Sequence, residues 1–521
     1  MTSPARESGK GWPGAGPTDP VREARDLERR GLIGEAERVL RQAAAARPRE
    51  PAAHRELGRL LRKMRDFKGA EDATRRAIKA APRDLESAIQ LGQVLQDVGR
   101  TREAREAFER AIWIAPTDAR AYCGIAVMME KARDPEGALA MVDRALAAAQ
   151  DHQLALVLRA RMLRRVGRMD EARAVAEAFL ADASRHPEAR KRMGYELSRI
   201  LDKQGEYSGA FRAAALANAI QRDMPEAKAT FSTAWFPIFE AMSRVTPAQT
   251  ARWAAEAPAD DPAPLFLVGF PRSGTTMLEQ ILAAHPDIAP SNEQELFHHA
   301  MAVVSRGLES PATWDAHLDA LPPERIAEAR AAYMAACEQI RRERSGAKRV
   351  IDKFPMHLGV APVINRVFPR ARVVVAYRDP RDVCLSSFLQ EFVPNRSMVH
   401  FLSLDDTVRV YELMMGGWLA QRGDLSVPFL EVRYEALTTD LESEARRILE
   451  FCGLSWDPAV LRFHEREHQR WVSTPSYEAI SRPVNTDAHG RWKKYRADLE
   501  PVLPRLEPFV KALGYEATDA G

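Results

Sequence analysis

Two hydrophobic patterns divide the chain. From about residue 20 to 222, apolar positions recur at helical spacing in paired stretches. "LRKMRDFKGAEDATRRAIKAAPRD" reads as helix, short turn, helix and a closing proline. "LRRVGRMDEARAVAEAFL" and "LDKQGEYSGAFRAAALANAI" repeat the theme. Beyond Pro264 the pattern changes. "PLFLVGF" predicts a buried strand, "TTMLEQILAAHP" a helix stopped by proline, and "RVVVAYRD" and "VPFLEVRYE" two more strands. "TTDLESEARRILEFCGL" predicts a helix capped by Thr438 or Thr439 and stopped at Gly453. Between the two halves, "APADDPAP" reads as a linker.

The helical half has a fixed period. Pro48, Pro82 and Pro116 recur every 34 residues, as do Ala70, Ala104 and Ala138, and Ala43, Ala77, Ala111 and Ala145. Leu57-Gly58 returns as Leu91-Gly92. Small residues let two helices cross closely, and proline ends the second helix of each pair. This period resembles the tetratricopeptide repeat (TPR), and about five or six units fit the stretch. Such a unit cannot bury its apolar stripe alone, so units stack into a solenoid. The strand–helix alternation of the second half implies a parallel sheet with helices on both faces, whose ligands bind beyond the carboxyl ends of the strands.

The expected organisation is a multidomain chain. It has a flexible tail over 1–18, an all-α TPR solenoid over 19–222, a connecting helix and linker over 223–263, an α/β P-loop-like domain with a central parallel sheet over 264–515, and a tail over 516–521. Composition narrows this little. Hydrophobic residues make up 45%, charged residues 29%, and the net charge is +3. A near-neutral chain calls for no nucleic-acid partner. Cys123, Cys337, Cys384 and Cys452 are scattered, without metal-ligand or disulfide spacing, and suit a reducing cytoplasm. The polar N-terminus lacks the apolar core of a secretory signal, and no run reaches the ~20 residues that span a bilayer.

Candidate chemistry concentrates in "LFLVGFPRSGTTMLEQIL". Gly269 and Gly274 stand at P-loop spacing, but Thr275 and Thr276 follow where a nucleotide-hydrolysing loop has lysine. A loop opening a helix presents free backbone N–H groups and the positive end of the helix dipole. Gly274 allows close approach, Ser273, Thr275 and Thr276 add hydroxyls, and Arg272 adds a fork of donors. The loop suits phosphate or sulfonate.

"GFPRSGTTMLEQILAAHP" resembles the 5′-phosphosulfate loop of sulfotransferases, which use 3′-phosphoadenosine-5′-phosphosulfate (PAPS). "VVVAYRDPRDVCLSSF" resembles that family's 3′-phosphate site, which implies phosphate contacts from Arg378 and Ser386. The resemblance runs from about Pro264 to Tyr515 and is nearest to the protein-tyrosine sulfotransferase branch. It implies Glu293 as general base, 21 residues beyond Arg272, in an Asn-Glu context where that branch often has Gly-Glu. Glu295 is the rival. His285 reads as a helix-end cap, and His298 and His299 as surface or structural residues. Lys353 in "VIDKFPMH" matches a lysine that contacts the transferring group and leaving oxygen, with Arg272 assisting. Tyr434 matches a tyrosine that holds the nucleotide. "TPSYEAISRPVNTDAHGRWKKY" resembles the family's C-terminal lid and implies Ser476 and Arg491 as nucleotide contacts, with Arg482, Lys493 and Lys494 also in reach of phosphate. Gln390 stands where the branch has a further arginine. The family implies PAPS as co-substrate, no metal, and a hydroxyl acceptor on a peptide, carbohydrate or small molecule. The TPR array implies a protein partner or acceptor docking. A P-loop kinase and a non-catalytic TPR scaffold are the alternatives.

Overall fold

The computed structural model describes residues 19–231, 235–258, 263–344, 346–463 and 486–516. Both expected tails lie outside them, apart from Glu516, as do residues 259–262 of the linker. The chain divides into two compact units, Met1–Phe179 and Leu180–Gly521.

The first unit is built of antiparallel helical pairs, from Pro20–Arg29 with Ile33–Ala46 to Gln153–Arg165 with Met169–Ala181. Side-chain caps start several of them: Asp66 accepts from the Gly69 amide at 2.9 Å and Asp134 from the Gly137 amide at 2.8 Å. The alanine phase runs further than the prolines do. Ala36, Ala70, Ala104, Ala138 and Ala172 are all fully buried. A Cβ at Gly58 would lie 2.5 Å from Thr74 Oγ1, so glycine is what lets those two helices cross.

The second unit holds a five-stranded sheet, all parallel, in the order β2-β3-β1-β4-β5. The strands are β1 (Leu265–Gly269), β2 (Ile288–Pro290), β3 (Arg349–Lys353), β4 (Arg372–Tyr377) and β5 (Phe429–Arg433). Alternate side chains feed two cores, because strand side chains switch faces at every residue. Phe266, Val268, Val373 and Val375 pack with Tyr333, Tyr411 and Met415. Leu265, Leu267, Val374 and Ala376 pack with Leu278, Ile281, Ile448 and Leu449. Each such side chain contributes about 1.5–3 kcal/mol on burial. This two-sided burial explains why the central strands read as continuous apolar runs.

Two further helices, Pro187–Lys203 and Tyr207–Asp223, belong to this unit and form a hairpin against the sheet-bearing core, to which Leu201, Ala210 and Ala213 contribute. One expected cap is corrected. Helix Leu441–Phe451 starts at Asp440, which accepts from the Ser443 amide. Thr438 and Thr439 instead end a short preceding helix, Tyr434–Thr439, and bond back to its carbonyls. Among the described residues no helix is long and apolar enough to cross a membrane.

Asp352 on β3 is completely buried. Burial pushes its carboxyl up to about 8, opposed by the Tyr333 hydroxyl and reinforced by the Glu279 carboxylate. In the unfolded chain this group ionises near 3.8. Between these values the unfolded state holds fewer protons, so rising pH weakens the fold. The Asp352→Asn variant is therefore expected to lose thermal stability less steeply than the native chain between about pH 5 and pH 8. Parallel slopes in melts across that range would show that the carboxyl is not held neutral in the fold.

Candidate active site

All five strand ends deliver candidate residues to one edge of the sheet. β1 runs into the loop Phe270–Gly274 and helix Thr275–Ala283. Gly274 has φ +93°, and a Cβ there would lie 2.6 Å from the Tyr434 ring that follows β5. Arg272 also takes a left-handed backbone, with φ 72°. Such a residue carries strain that the surrounding contacts must offset.

The loop and the β4 end form one cationic pocket. Arg272 Nε donates to Ser386 Oγ at 3.1 Å, bringing together two residues 114 positions apart. Arg378 Nη1 donates to the Arg272 carbonyl at 3.4 Å, and its guanidinium stacks 5.1 Å over Tyr434. Burial, with Arg378 and Arg491 nearby, pulls the Arg272 guanidinium down to about 10. This is concentrated positive charge on side chains that are half-buried or buried. Two donors there have no partner among the described residues: Ser273 Oγ and Arg378 Nε, both buried. Thr275 and Thr276 are buried at the helix start. Unpartnered donors, first-turn helix amides and crowded guanidinia fit an anionic group such as a phosphate or phosphosulfate.

Asp382, in the first turn of helix Pro380–Phe388, lies 3.6 Å from Arg378 Nη2. It accepts from the Gly490 and Trp492 amides at 2.8 Å each. Burial pushes its carboxyl up to about 6, against the pull of Arg378. Arg378 Nη2 also donates to the Ala488 carbonyl at 2.5 Å. His489 caps the arrangement, its Nε2 2.7 Å from Thr438 Oγ1 and its ring edge-on to Tyr434. Arg491 pairs with Asp202 at 2.8 Å. Lys493 reaches toward Glu516 and Lys494 lies over Tyr207. Ser476 and Arg482 fall outside the described residues.

At the other strand ends, Lys353 closes β3 and is completely buried. Its Nζ donates to Glu293 Oε1 and lies 3.4 Å from Glu279 Oε2. Its amide donates to Ser291 Oγ at 2.9 Å, tying β3 to the end of β2. Glu293 is partly exposed, with 39% of its side chain accessible. Asn292 and Glu293 have φ 51° and 61°. The left-handed turn explains the Asn-Glu pair: glycine and asparagine are the residues that accept this backbone readily. Glu295 points to solvent at the start of helix Leu296–Val304, and His298 and His299 are exposed on it. His285 accepts from the Asp287 amide at Nδ1, so its Nε2 donates to the Ser455 carbonyl. These bonds tie the turn before β2 to the segment that follows helix Leu441–Phe451.

Sequence reasoning missed Glu279. It is buried in helix Thr275–Ala283, accepts from the Asn292 amide at 3.0 Å, and faces Lys353. Burial raises its carboxyl, and Lys353 opposes the rise. The available signal was a glutamate between Leu278 and Ile281, inside an apolar helix stripe. An acid in that position needs a buried cation.

An anion-type loop between a parallel strand and a helix, with a second arginine and hydroxyl at the end of the adjacent strand, is the arrangement of a P-loop-like α/β fold. Residues 264–458 match the family model described as the sulfotransferase family, and residues 21–84, 85–118 and 130–187 match tetratricopeptide-repeat models. Residues 264–458 are thus a sulfotransferase-family domain, preceded in the chain by tetratricopeptide repeats. The chain is 26% identical over 353 residues to an uncharacterized protein of Aquifex aeolicus, covering 66% of this chain and 45% of that one. It is 26% identical to protein-tyrosine sulfotransferase A of Caenorhabditis elegans (48% of this chain, 67% of that one). Against the Drosophila melanogaster protein-tyrosine sulfotransferase it is 23% identical, over 48% and 51% respectively. The chain thus spans about half to two thirds of the length of these relatives.

Gly274→Ala places a Cβ in a left-handed backbone and against the Tyr434 ring. The expected cost is about 1–3 kcal/mol in denaturant unfolding. A variant as stable as the native chain would mean that the loop does not hold this conformation in solution.

Proposed function

We propose that the second unit transfers a sulfuryl group from PAPS to an acceptor hydroxyl, with a protein or peptide tyrosine as the favoured acceptor class. The observation that carries the reading is the cationic cluster of Arg272 and Arg378 with Ser386, with the unpartnered Ser273 hydroxyl, beside the Glu293–Lys353 pair. The loop residues Arg272 to Thr276 would take the 5′-phosphosulfate. Arg378 and Ser386 would take the 3′-phosphate, with Tyr434, Arg491 and Ser476 holding the nucleotide. The names of the relatives support tyrosine over other hydroxyls.

In the reaction, Glu293 accepts the proton of the acceptor O–H as that oxygen bonds to sulfur. The bond from sulfur to the bridging phosphate oxygen breaks, and its electron pair leaves on 3′-phosphoadenosine-5′-phosphate. Lys353 and Arg272 stabilise the charge that builds on the transferring and bridging oxygens. Positioning and electrostatics supply most of the rate, and no step calls on a metal. Lys353 is shared by Glu279 and Glu293, which keeps both the base and the cation in place. The repeats fit a protein partner or a docking surface for the acceptor. Four free, buried cysteines fit a reducing compartment, and we place the protein in the cytoplasm.

The test is thermal unfolding with 3′-phosphoadenosine-5′-phosphate, with ATP and magnesium, and without ligand. A ligand at 100 times its Kd stabilises by about 2.7 kcal/mol. Stabilisation by the 3′-phosphate nucleotide alone is expected, and stabilisation by ATP alone would replace this reading with a kinase. Glu293→Ala should keep nucleotide binding and lose about 10²–10⁴-fold in turnover of labelled sulfate donor. Full turnover in that variant would move the base elsewhere.

A further inference from the structure

The helical hairpin Pro187–Asp223 looks, by pattern, like one more repeat, yet its contacts lie within the transferase unit. Those contacts are polar and specific. Asn218 Nδ2 donates to the Phe388 carbonyl at 3.0 Å, and Gln221 Nε2 to the Phe392 carbonyl at 2.7 Å. Tyr195 holds both amides from behind, its hydroxyl donating to Asn218 Oδ1 at 2.5 Å and lying 3.1 Å from Gln221 Oε1. Phe211 stacks on Phe388 with ring centroids 4.7 Å apart. Phe388 ends the helix that carries Ser386. The hairpin therefore fixes the end of the helix that presents the 3′-phosphate hydroxyl.

It reaches the site a second time through Asp202. That carboxylate accepts from Arg491 at 2.8 Å and from the Tyr495 hydroxyl at 2.5 Å. Arg491 thereby sits close enough to Arg272 for their charges to interact. Arg199 lies one turn before Asp202, on the same side of the helix, held by Glu196 at 2.7 Å. Its charge also reaches Arg272.

We propose that this hairpin is a built-in wall of the donor-nucleotide site and that Asp202 is a positioning residue, holding Arg491 where it meets the nucleotide. The proposal rests on the PAPS reading above. A long arginine pays a large side-chain entropy cost on being fixed. A partly buried carboxylate that already fixes it removes that cost from nucleotide binding, which is preorganisation. It also accounts for Gln390 in place of a further arginine: the hairpin supplies Arg199 and steadies Arg491.

The experiment measures affinity of the full chain for 3′-phosphoadenosine-5′-phosphate in Asp202→Asn, Arg491→Gln and the double variant. Ser208→Ala serves as a control, because Ser208 joins the hairpin to Asp498 at 2.8 Å without touching Arg491. Asp202→Asn should weaken binding by about fivefold or more. The double variant should bind no worse than Arg491→Gln alone, as expected for two residues acting as one unit. Ser208→Ala should bind as the native chain does. In turnover, Asp202→Asn should raise KM for the sulfate donor and leave kcat nearly unchanged. Unchanged or tighter binding by Asp202→Asn, or strictly additive losses in the double variant, would overturn the proposal. Melting without ligand identifies any variant that merely unfolds, and Arg491→Gln then decides alone: native affinity in that variant removes the arginine, and with it the role of Asp202. No binding by the native chain would instead defeat the PAPS reading itself.

Discussion

Because all five strands run in the same direction, every strand ends on the same edge of the sheet. That single constraint brings a loop arginine, a buried lysine, a second arginine, a tyrosine and a glutamate from positions as far apart as 272 and 434 into one neighbourhood. The sheet order places β1 between β3 and β4, so the anion loop sits between the lysine and the second phosphate-type site. Packing on both faces makes the frame stiff. Interiors of this density do not deform gradually, and a site anchored to strand ends inherits that rigidity.

Charge is divided unevenly along the edge. Around β1 and β4 guanidinia gather, and the acids near them, Asp382 and Asp202, each fix a cation. Around β2 and β3 a single buried ammonium faces two carboxylates. An uncompensated buried charge is expensive, so each half is held by the geometry of its partners as much as by attraction. The cationic half is thereby ready for a polyanion. The acidic half keeps a partly exposed carboxylate beside a buried ammonium.

Much of this was legible in the sequence, and what was not has identifiable causes. β1 and β4 announced themselves because strands buried on both faces are apolar throughout. β2 did not: Ile288–Pro290 is three residues long and contains a proline, too short for any period to show. The loop glycines and Arg272 were readable because a strand, a tight turn and a helix are written contiguously. Glu279 was not, because its meaning depends on Lys353, 74 residues later, and local pattern carries no information about such a pair. The 34-residue interval exposed the repeats, but periodicity reports how a helical pair folds and not what it packs against. The hairpin at Pro187–Asp223 therefore read as one more unit of the array, and its place in the second unit came from contacts such as those of Leu201, Phe211, Asn218 and Gln221. Thr438 and Thr439 had the right chemistry for a cap and were preceded by one too many helical residues to serve as one.

The left-handed pair Asn292-Glu293 has a thermodynamic consequence for how its carboxylate is held. A glycine at 292 would reach the same backbone angles with less strain, but it would leave the unfolded and loosely bound ensembles with more states to lose. Asparagine spends some conformational energy in the resting protein and narrows that ensemble beforehand. The acid at 293 is then aimed by its main chain toward Lys353. The carboxylate consequently needs little further ordering when it meets another group.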